Sequence, residues 1–178
     1  AAIIGLDRDT IINVCNSVKS GYVAPANYNC PGQVVLGGEK AAVEEAMKLA
    51  GEAGARRALP LAVSAPSHCK LMEGVSGDIS GLLESIDLKS PVVPIVNNAD
   101  AAFLKEAGEI MGSLVRQLSS PLLWEDSIKL MVENGVDTFI EVGPKRVLGG
   151  LIKRIDGDVK ILNVEDTNTL EKTLSEIE

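Results

Sequence analysis

A chain of 178 residues is the size of one ordinary domain, or of a small module joined to part of a larger one. With 46% hydrophobic and 24% charged residues it has the composition of a soluble globular protein, and with only 3% aromatics its core must be built from Ile, Val, Leu, Ala and Met. The net charge of −8, spread without any run of five like charges, argues against a nucleic-acid partner, which would require clustered Lys and Arg. No apolar stretch approaches the roughly 18–20 residues that cross a bilayer, so no membrane is expected.

In chain order, Ala1-Ala2-Ile3-Ile4-Gly5-Leu6 reads as a short buried strand entered in mid-course, without an initiator Met or a signal-peptide pattern, which suggests a preceding segment. Asp7 offers an N-cap, and Ile11, Val14, Cys15 and Val18 recur at helical spacing up to Gly21. Tyr22 to Tyr28 reads as extended chain, Cys30-Pro31-Gly32 as a turn, and Gln33 to Gly38 as a strand. A helix with Ala42, Val43, Ala46, Met47 and Ala50 on one face runs to Gly54, and Arg57 to Val63 forms a strand that Pro60 pushes toward an edge or a bulge. The order strand, helix, strand, strand, helix, strand is the split βαβ pattern of a ferredoxin-like module, so residues 1–62 are expected to be a small βαββαβ subdomain.

Beyond Pro66 the rhythm changes. A helix is expected from Ser67 to Ile86, weakened by Gly74, Gly77 and Gly81. A buried strand follows at Val92–Val96, then helices from Ala102 to Leu118 and from Pro121 to Asn134-Gly135. Next come a strand at Thr138–Val142, a helix through Ile155, a strand at Lys160–Val164 and a last helix at Leu170–Ile177. Strands alternating with helices imply a mainly parallel sheet covered on both faces. About three strands are few for such a layer, so residues 63–178 are expected to be part of a larger α/β domain.

His68 is the only histidine, which removes every site needing two imidazoles, and no metal is expected. It lies in Val63-Ser64-Ala65-Pro66-Ser67-His68-Cys69, where a strand ends and a new helix should begin. Side chains at strand ends converge on ligand crevices, and an imidazole there can take a proton from a hydroxyl nucleophile. A structural histidine is the competing explanation. No serine sits in the G-x-S-x-G setting of an activated nucleophile: Ser76 has Gly74 before it but Asp78 after it, Ser80 has Asp78 before it, and Ser113 has Met111 before it. Cys69 adjoins His68 but neighbours on a helix point to different faces. The three cysteines, Cys15, Cys30 and Cys69, show no C-x-x-C spacing and leave an odd count, which reads as a reduced, cytoplasmic compartment.

Six segments carry a family resemblance: Asn27-Tyr28-Asn29-Cys30-Pro31-Gly32-Gln33-Val34-Val35, Arg57-Ala58-Leu59-Pro60-Leu61, Pro66-Ser67-His68-Cys69-x-Leu71-Met72, Pro94-Ile95-Val96-Asn97-Asn98, Leu114-Val115-Arg116-Gln117-Leu118 and Glu141-Val142-Gly143-Pro144. In this order and at this spacing they resemble the malonyl-CoA:acyl carrier protein transacylases of bacterial fatty acid synthesis. The resemblance implies the carboxy-terminal part of an α/β-hydrolase-like acyltransferase, with coenzyme A thioester as substrate, acyl carrier protein as partner, and no cofactor. It implies that His68 activates a serine, oriented by the main-chain carbonyl of Gln117. It further implies that Asn27, Asn29, Gln33 and Arg57 line the cleft for the pantetheine arm and nucleotide, and that Ser67 lies where the acyl group is selected. The family's nucleophile elbow, its oxyanion loop and its carboxylate-pairing arginine match nothing in this sequence, so a missing N-terminal segment would have to supply them, and neither Arg57 nor Arg116 replaces that arginine. Two alternatives stay open: a non-catalytic piece serving folding or carrier-protein docking, and a relative that loads a different acyl group.

Overall fold

The computed structural model describes all residues except Ser64 and Glu178. The chain forms two compact units, residues 1–127 and 128–178. The boundary expected between residues 62 and 63 lies inside the first of them.

The first unit opens with β1 (Ala2–Ile4), α1 (Arg8–Ser17), β2 (Val23–Cys30), β3 (Gln33–Gly38), α2 (Lys40–Glu52) and β4 (Arg57–Leu59). The four strands make one antiparallel sheet in the order β2-β3-β1-β4. Asp7 caps α1 as its spacing suggests, its carboxylate accepting from the Thr10 amide at 2.7 Å. Ile11 and Val14 of α1 and the small, fully buried Ala42, Ala46 and Ala50 of α2 pack with Ile3, Val34 and Leu36 into the main core. Alanine at every fourth position removes bulk from one stripe of α2, which lets that helix approach closely. Because strand side chains alternate, Ile4, Gln33, Val35 and Arg57 lie on the opposite sheet face from Ile3, Val34 and Leu36. Two irregularities, between Pro25 and Asn27 and between Tyr28 and Cys30, leave Ala26 and Asn29 out of register with β3. Bulges of this kind re-aim the side chains around them.

The expected helix at 67–86 is corrected. Residues 67–69 form a turn, a 3-10 helix covers Lys70–Val75, and only Ser76–Glu84 is α-helix (α3). The reason lies at its start: His68 has φ +62°, a left-handed conformation that no α-helix contains. The buried strand expected at Val92–Val96 is also corrected. Val92 and Val93 are exposed, and only Ile95–Val96 (β5) is strand, paired antiparallel with Phe103–Leu104 (β6). Residues 102–106 therefore do not begin the next helix, and α4 spans Ala107–Gln117. It opens with a capping box in which Glu109 accepts the Glu106 amide at 3.2 Å. The helix expected from Pro121 starts three residues later, as α5 (Trp124–Glu133), which leads into the second unit.

In the second unit β7 (Thr138–Val142) and β8 (Lys160–Val164) pair in parallel across α6 (Val147–Ile155), and α7 (Thr167–Ile177) follows. Both strands have the bounds their β-branched runs suggest. The segment Glu141-Val142-Gly143-Pro144 has a local structural role, because Glu141 accepts from the amides of Leu148 and Gly149, at 3.0 and 2.7 Å, at the start of α6. Among the described residues, no helix is long and apolar enough to cross a membrane, and no group of His, Cys, Asp and Glu could hold a metal ion.

All three cysteines are free thiols. Cys30 and Cys69 are buried, Cys69 donating to the Pro66 carbonyl at 3.2 Å, and burial pushes the Cys15 thiol up to about 11. Cys15 therefore holds little thiolate at neutral pH, and burial shields Cys30 and Cys69 from reagents. A thiol reagent such as DTNB is expected to react slowly with the native chain and rapidly with all three thiols in denaturant; fast reaction of the native chain would contradict this packing.

Candidate active site

His68 is gripped twice by the carboxy-terminal end of α4. Its backbone N–H donates to the Leu118 carbonyl at 3.0 Å, and its ring Nδ1 lies 2.9 Å from the Gln117 carbonyl oxygen. These are carbonyls of the kind a helix end leaves without an intrahelical partner. Left-handed φ costs a non-glycine residue on the order of 1 kcal/mol, so the two bonds hold His68 in a conformation it would not choose alone. A carbonyl oxygen can only accept, so Nδ1 must carry the proton and donate it. That tautomer leaves the Nε2 lone pair unprotonated and able to accept. Cys69, by contrast, turns its sulfur away to Pro66 and does not pair with the imidazole.

Gly37 faces the segment carrying His68, and a Cβ there would be tight only against Ala26 Cβ, at 3.2 Å. A Cβ on Gly37 would stand 3.5 Å from the Ser67 carbonyl and 3.7 Å from the Cys69 sulfur, filling the space between the two elements. A cavity of about 740 Å³ adjoins this contact, and its walls include Asn27, Gly37, Met47, Pro66, Ser67 and His68. Asn29, Gln33 and Arg57 do not line it. They lie farther along the sheet, where Gln33 and Arg57 pair with Ile4 from either side and Cys30, next to Asn29, pairs with Gln33.

The strand edge beside Asn27 is fixed by the chain that follows α4. Leu122 bonds both ways with β2, its amide to the Ala26 carbonyl at 2.8 Å and its carbonyl to the Tyr28 amide at 2.9 Å. Arg8, packed 4.5 Å over the Tyr28 ring, adds ion pairs to Glu125 at 3.1 Å and Asp126 at 2.9 Å. Behind α4, the buried Asn97 side chain donates to Ser113 Oγ at 2.7 Å and to Asp100 at 2.6 Å, and accepts from the Ala102 amide at 2.9 Å. Arg116 pairs with Asp100 at 2.6 Å.

The Arg116 guanidinium, with help from the Asn97 amide, holds the Asp100 carboxyl below its ordinary value despite some desolvation. A depressed carboxylate contributes stability that is fully present above the unfolded value near about pH 4 and lost as pH falls through the lower folded value. Asp100→Asn is therefore expected to flatten the acid limb of a melting-temperature profile below about pH 4. An unchanged acid limb would show that this contact contributes nothing.

No protein-family model matches the chain. Curated relatives do: "Malonyl CoA-acyl carrier protein transacylase" of Haemophilus influenzae is 49% identical over 166 residues, 93% of this chain and 53% of that protein. The protein of the same name from Bacillus subtilis is 40% identical over 96% of this chain and 55% of its own length. The chain is homologous to about half of a malonyl CoA-acyl carrier protein transacylase. Solved transacylases agree. The acyl-carrier-protein S-malonyltransferase of Burkholderia pseudomallei superposes with a TM-score of 0.95 at 42% identity, over 98% of this chain and 57% of its own. A malonyl-transacylase solved in complex with a type II PKS acyl-carrier protein also gives 0.95, at 44% identity over 98% of this chain and 57% of its own.

Of the residues that the transacylase resemblance singled out, the fold brings His68 and the Gln117 carbonyl into contact and sets Ser67 and Asn27 on the same cavity as His68. Asn29, Gln33 and Arg57 form a separate row on the sheet. Sequence reasoning missed the Leu118 carbonyl, the Leu122 bridge and Gly37. The first two act through backbone atoms and have no residue signature. Gly37-Gly38 at the end of a strand was a readable sign of close backbone approach.

Proposed function

We propose that the complete polypeptide containing this chain transfers a malonyl group from coenzyme A to the phosphopantetheine thiol of acyl carrier protein, in the cytoplasm, by a Ser-His ping-pong mechanism. The observation that carries the proposal is the ring of His68, with Nδ1–H bonded to the Gln117 carbonyl at 2.9 Å and Nε2 left as base. The serine comes from polypeptide outside these 178 residues, because no serine here has the G-x-S-x-G setting and the chain spans about half the length of its relatives.

In the first half-reaction the serine hydroxyl gives its proton to Nε2 as its oxygen attacks the thioester carbonyl. Collapse of the tetrahedral intermediate expels the coenzyme A thiolate, which takes that proton from the imidazolium. In the second half-reaction the carrier-protein thiol gives its proton to Nε2 and attacks the serine ester, and the imidazolium returns the proton to the serine oxygen. Proton transfer and oxyanion stabilisation suffice for both halves, so no cofactor is invoked.

The open face of the small sheet supports a substrate track. Gly37 and Ser67 stand near His68, Asn27 pairs with Val35 in the middle, and Gln33 and Arg57 mark the far end. From residue 37 to residue 33 of β3 is about 13 Å of strand, a span suited to an extended pantetheine arm. The amides of Asn27, Asn29 and Gln33 match its amide groups, and Arg57 matches a phosphate. Residues 1–62 are read as a ferredoxin-like subdomain, supported by their antiparallel order β2-β3-β1-β4. Residues 63–178 are read as part of an α/β-hydrolase-like domain, supported by the parallel pair β7 and β8.

The test is competition between malonyl-CoA, acetyl-CoA and methylmalonyl-CoA for loading of acyl carrier protein by the complete polypeptide. Preferred malonyl loading is expected. Preference for another acyl group would reassign the substrate, and no loading of any would overturn the proposal.

A further inference from the structure

We infer that Asn98 is a positioning residue for His68, acting through the side chain of Gln117. This rests on the reading of His68 as the base and adds a residue to that site. Gln117 is held at both ends: its carbonyl accepts from the imidazole at 2.9 Å, and its side-chain Oε1 accepts from Asn98 Nδ2 at 3.2 Å. A polar side chain at a helix end is usually solvated. Here it is half-buried and bonded to a residue 19 positions earlier.

Asn98 does not act alone. Asn97 bonds Ser113 Oγ at 2.7 Å, and Ser113 lies four residues before Gln117, on the same face of α4. Two consecutive asparagines thus make two rungs to two residues one helical turn apart. A single bond would leave the last turn free to rotate about its contact; two bonds fix both its height and its rotation. The asparagine segment is itself anchored. The Asn97 amide uses its remaining atoms on Asp100 and the Ala102 amide, and the Asn98 carbonyl accepts from the Leu123 amide at 2.8 Å. Consequently the last turn of α4, which carries the carbonyls at 117 and 118, is braced by the asparagine segment as well as by its own helix.

The role follows from the tautomer. The imidazole works as base only with the proton on Nδ1, and that form is favoured by a carbonyl aimed along the Nδ1–H bond. Helix ends fray. Loss of the Asn98 rung loosens the last turn of α4, lengthens the Nδ1–H···O contact, and lets the form protonated on Nε2 gain population. That form cannot accept the serine proton. Asn98 does not line the cavity beside His68, so substrate affinity should be untouched.

The experiment uses the complete polypeptide carrying Asn98→Ala or Asn98→Asp. Asn98→Asp keeps the size but replaces the donating amide by an acceptor. Readouts are kcat, KM for malonyl-CoA, and the nitrogen NMR shifts of the His68 ring, assigned by their loss in His68→Asn. Asn98→Ala and Asn98→Asp are expected to lower kcat on the order of tenfold at constant KM, and to move the two ring-nitrogen shifts toward each other as the tautomers mix. Should Asn98→Ala not fold, Asn98→Asp and Gln117→Ala carry the same expectation. Folded Asn98 variants with unaltered ring shifts and kcat would overturn the inference, while an inactive His68→Asn would leave the base reading standing. Full activity in His68→Asn would instead overturn the reading beneath it.

Discussion

His68→Ala in the complete polypeptide is expected to lower malonyl transfer by a factor on the order of 10² to 10⁴, the usual contribution of a positioned general base. The fall should appear in kcat, because the imidazole acts on protons in flight and does not hold the ground-state thioester. The fold should survive. Substitution removes one side-chain bond, worth about 0.5–1.5 kcal/mol net, and the backbone N–H to Leu118 is retained by any residue at this position. His68→Gly is the informative companion. Glycine adopts φ +62° freely, so it should recover part of the lost stability while remaining as inactive as alanine. Stability regained without activity would separate the two roles of this residue. Activity retained in either variant would remove His68 from the chemistry.

Ile11→Ala is expected to destabilise the first unit by about 2–5 kcal/mol, the range for emptying a fully enclosed aliphatic position. Ile11 is 0% exposed and lies where α1 meets the sheet, against a cluster whose other large members are Ile3, Leu6 and Leu36. With so few aromatic residues in the chain, the core is made of branched aliphatics and alanines. At roughly 2–4 °C per kcal/mol for a chain of this size, Tm should fall by roughly 4–20 °C. Ile11→Val, which removes one methylene, should cost about 0.5–1.5 kcal/mol. Equal effects from the two variants would mean that the cavity collapses and that this core is softer than its burial implies.

Where one physical signal dominates, the sequence was legible. Thr138–Val142 and Lys160–Val164 are unbroken runs with β-branched residues between polar turns, and the strands have those bounds. Asp7 before an apolar helical stripe marked the start of α1. Legibility failed where tertiary contact outweighs local pattern. Val92 and Val93 look like core, yet they are exposed, because Pro91 and Pro94 withhold amides from any ladder. Ser67–Val75 looks helical by its apolar spacing, yet two bonds from α4 hold His68 left-handed and no helix can pass through it. The site divides in the same way. His68 was visible as a lone imidazole at a strand end. Its partner is a peptide oxygen, which every residue possesses, so only the family resemblance pointed to position 117. Asn97 and Asn98 stood in a recognisable segment, but their bonds to Ser113 and Gln117 cross 16 and 19 residues, beyond any local periodicity.

These residues contribute the base and a substrate track in the proposed reaction, while another stretch of polypeptide contributes the nucleophile. Mapping the covalent acyl-enzyme tests that division most directly. The complete polypeptide would be incubated with malonyl-CoA, quenched in acid before carrier protein is added, digested, and searched by mass spectrometry for the malonylated peptide. A single malonyl-serine outside these 178 residues is expected, with no stable adduct when His68 is alanine. A malonyl group on any serine or cysteine within Ala1–Glu178 would contradict it.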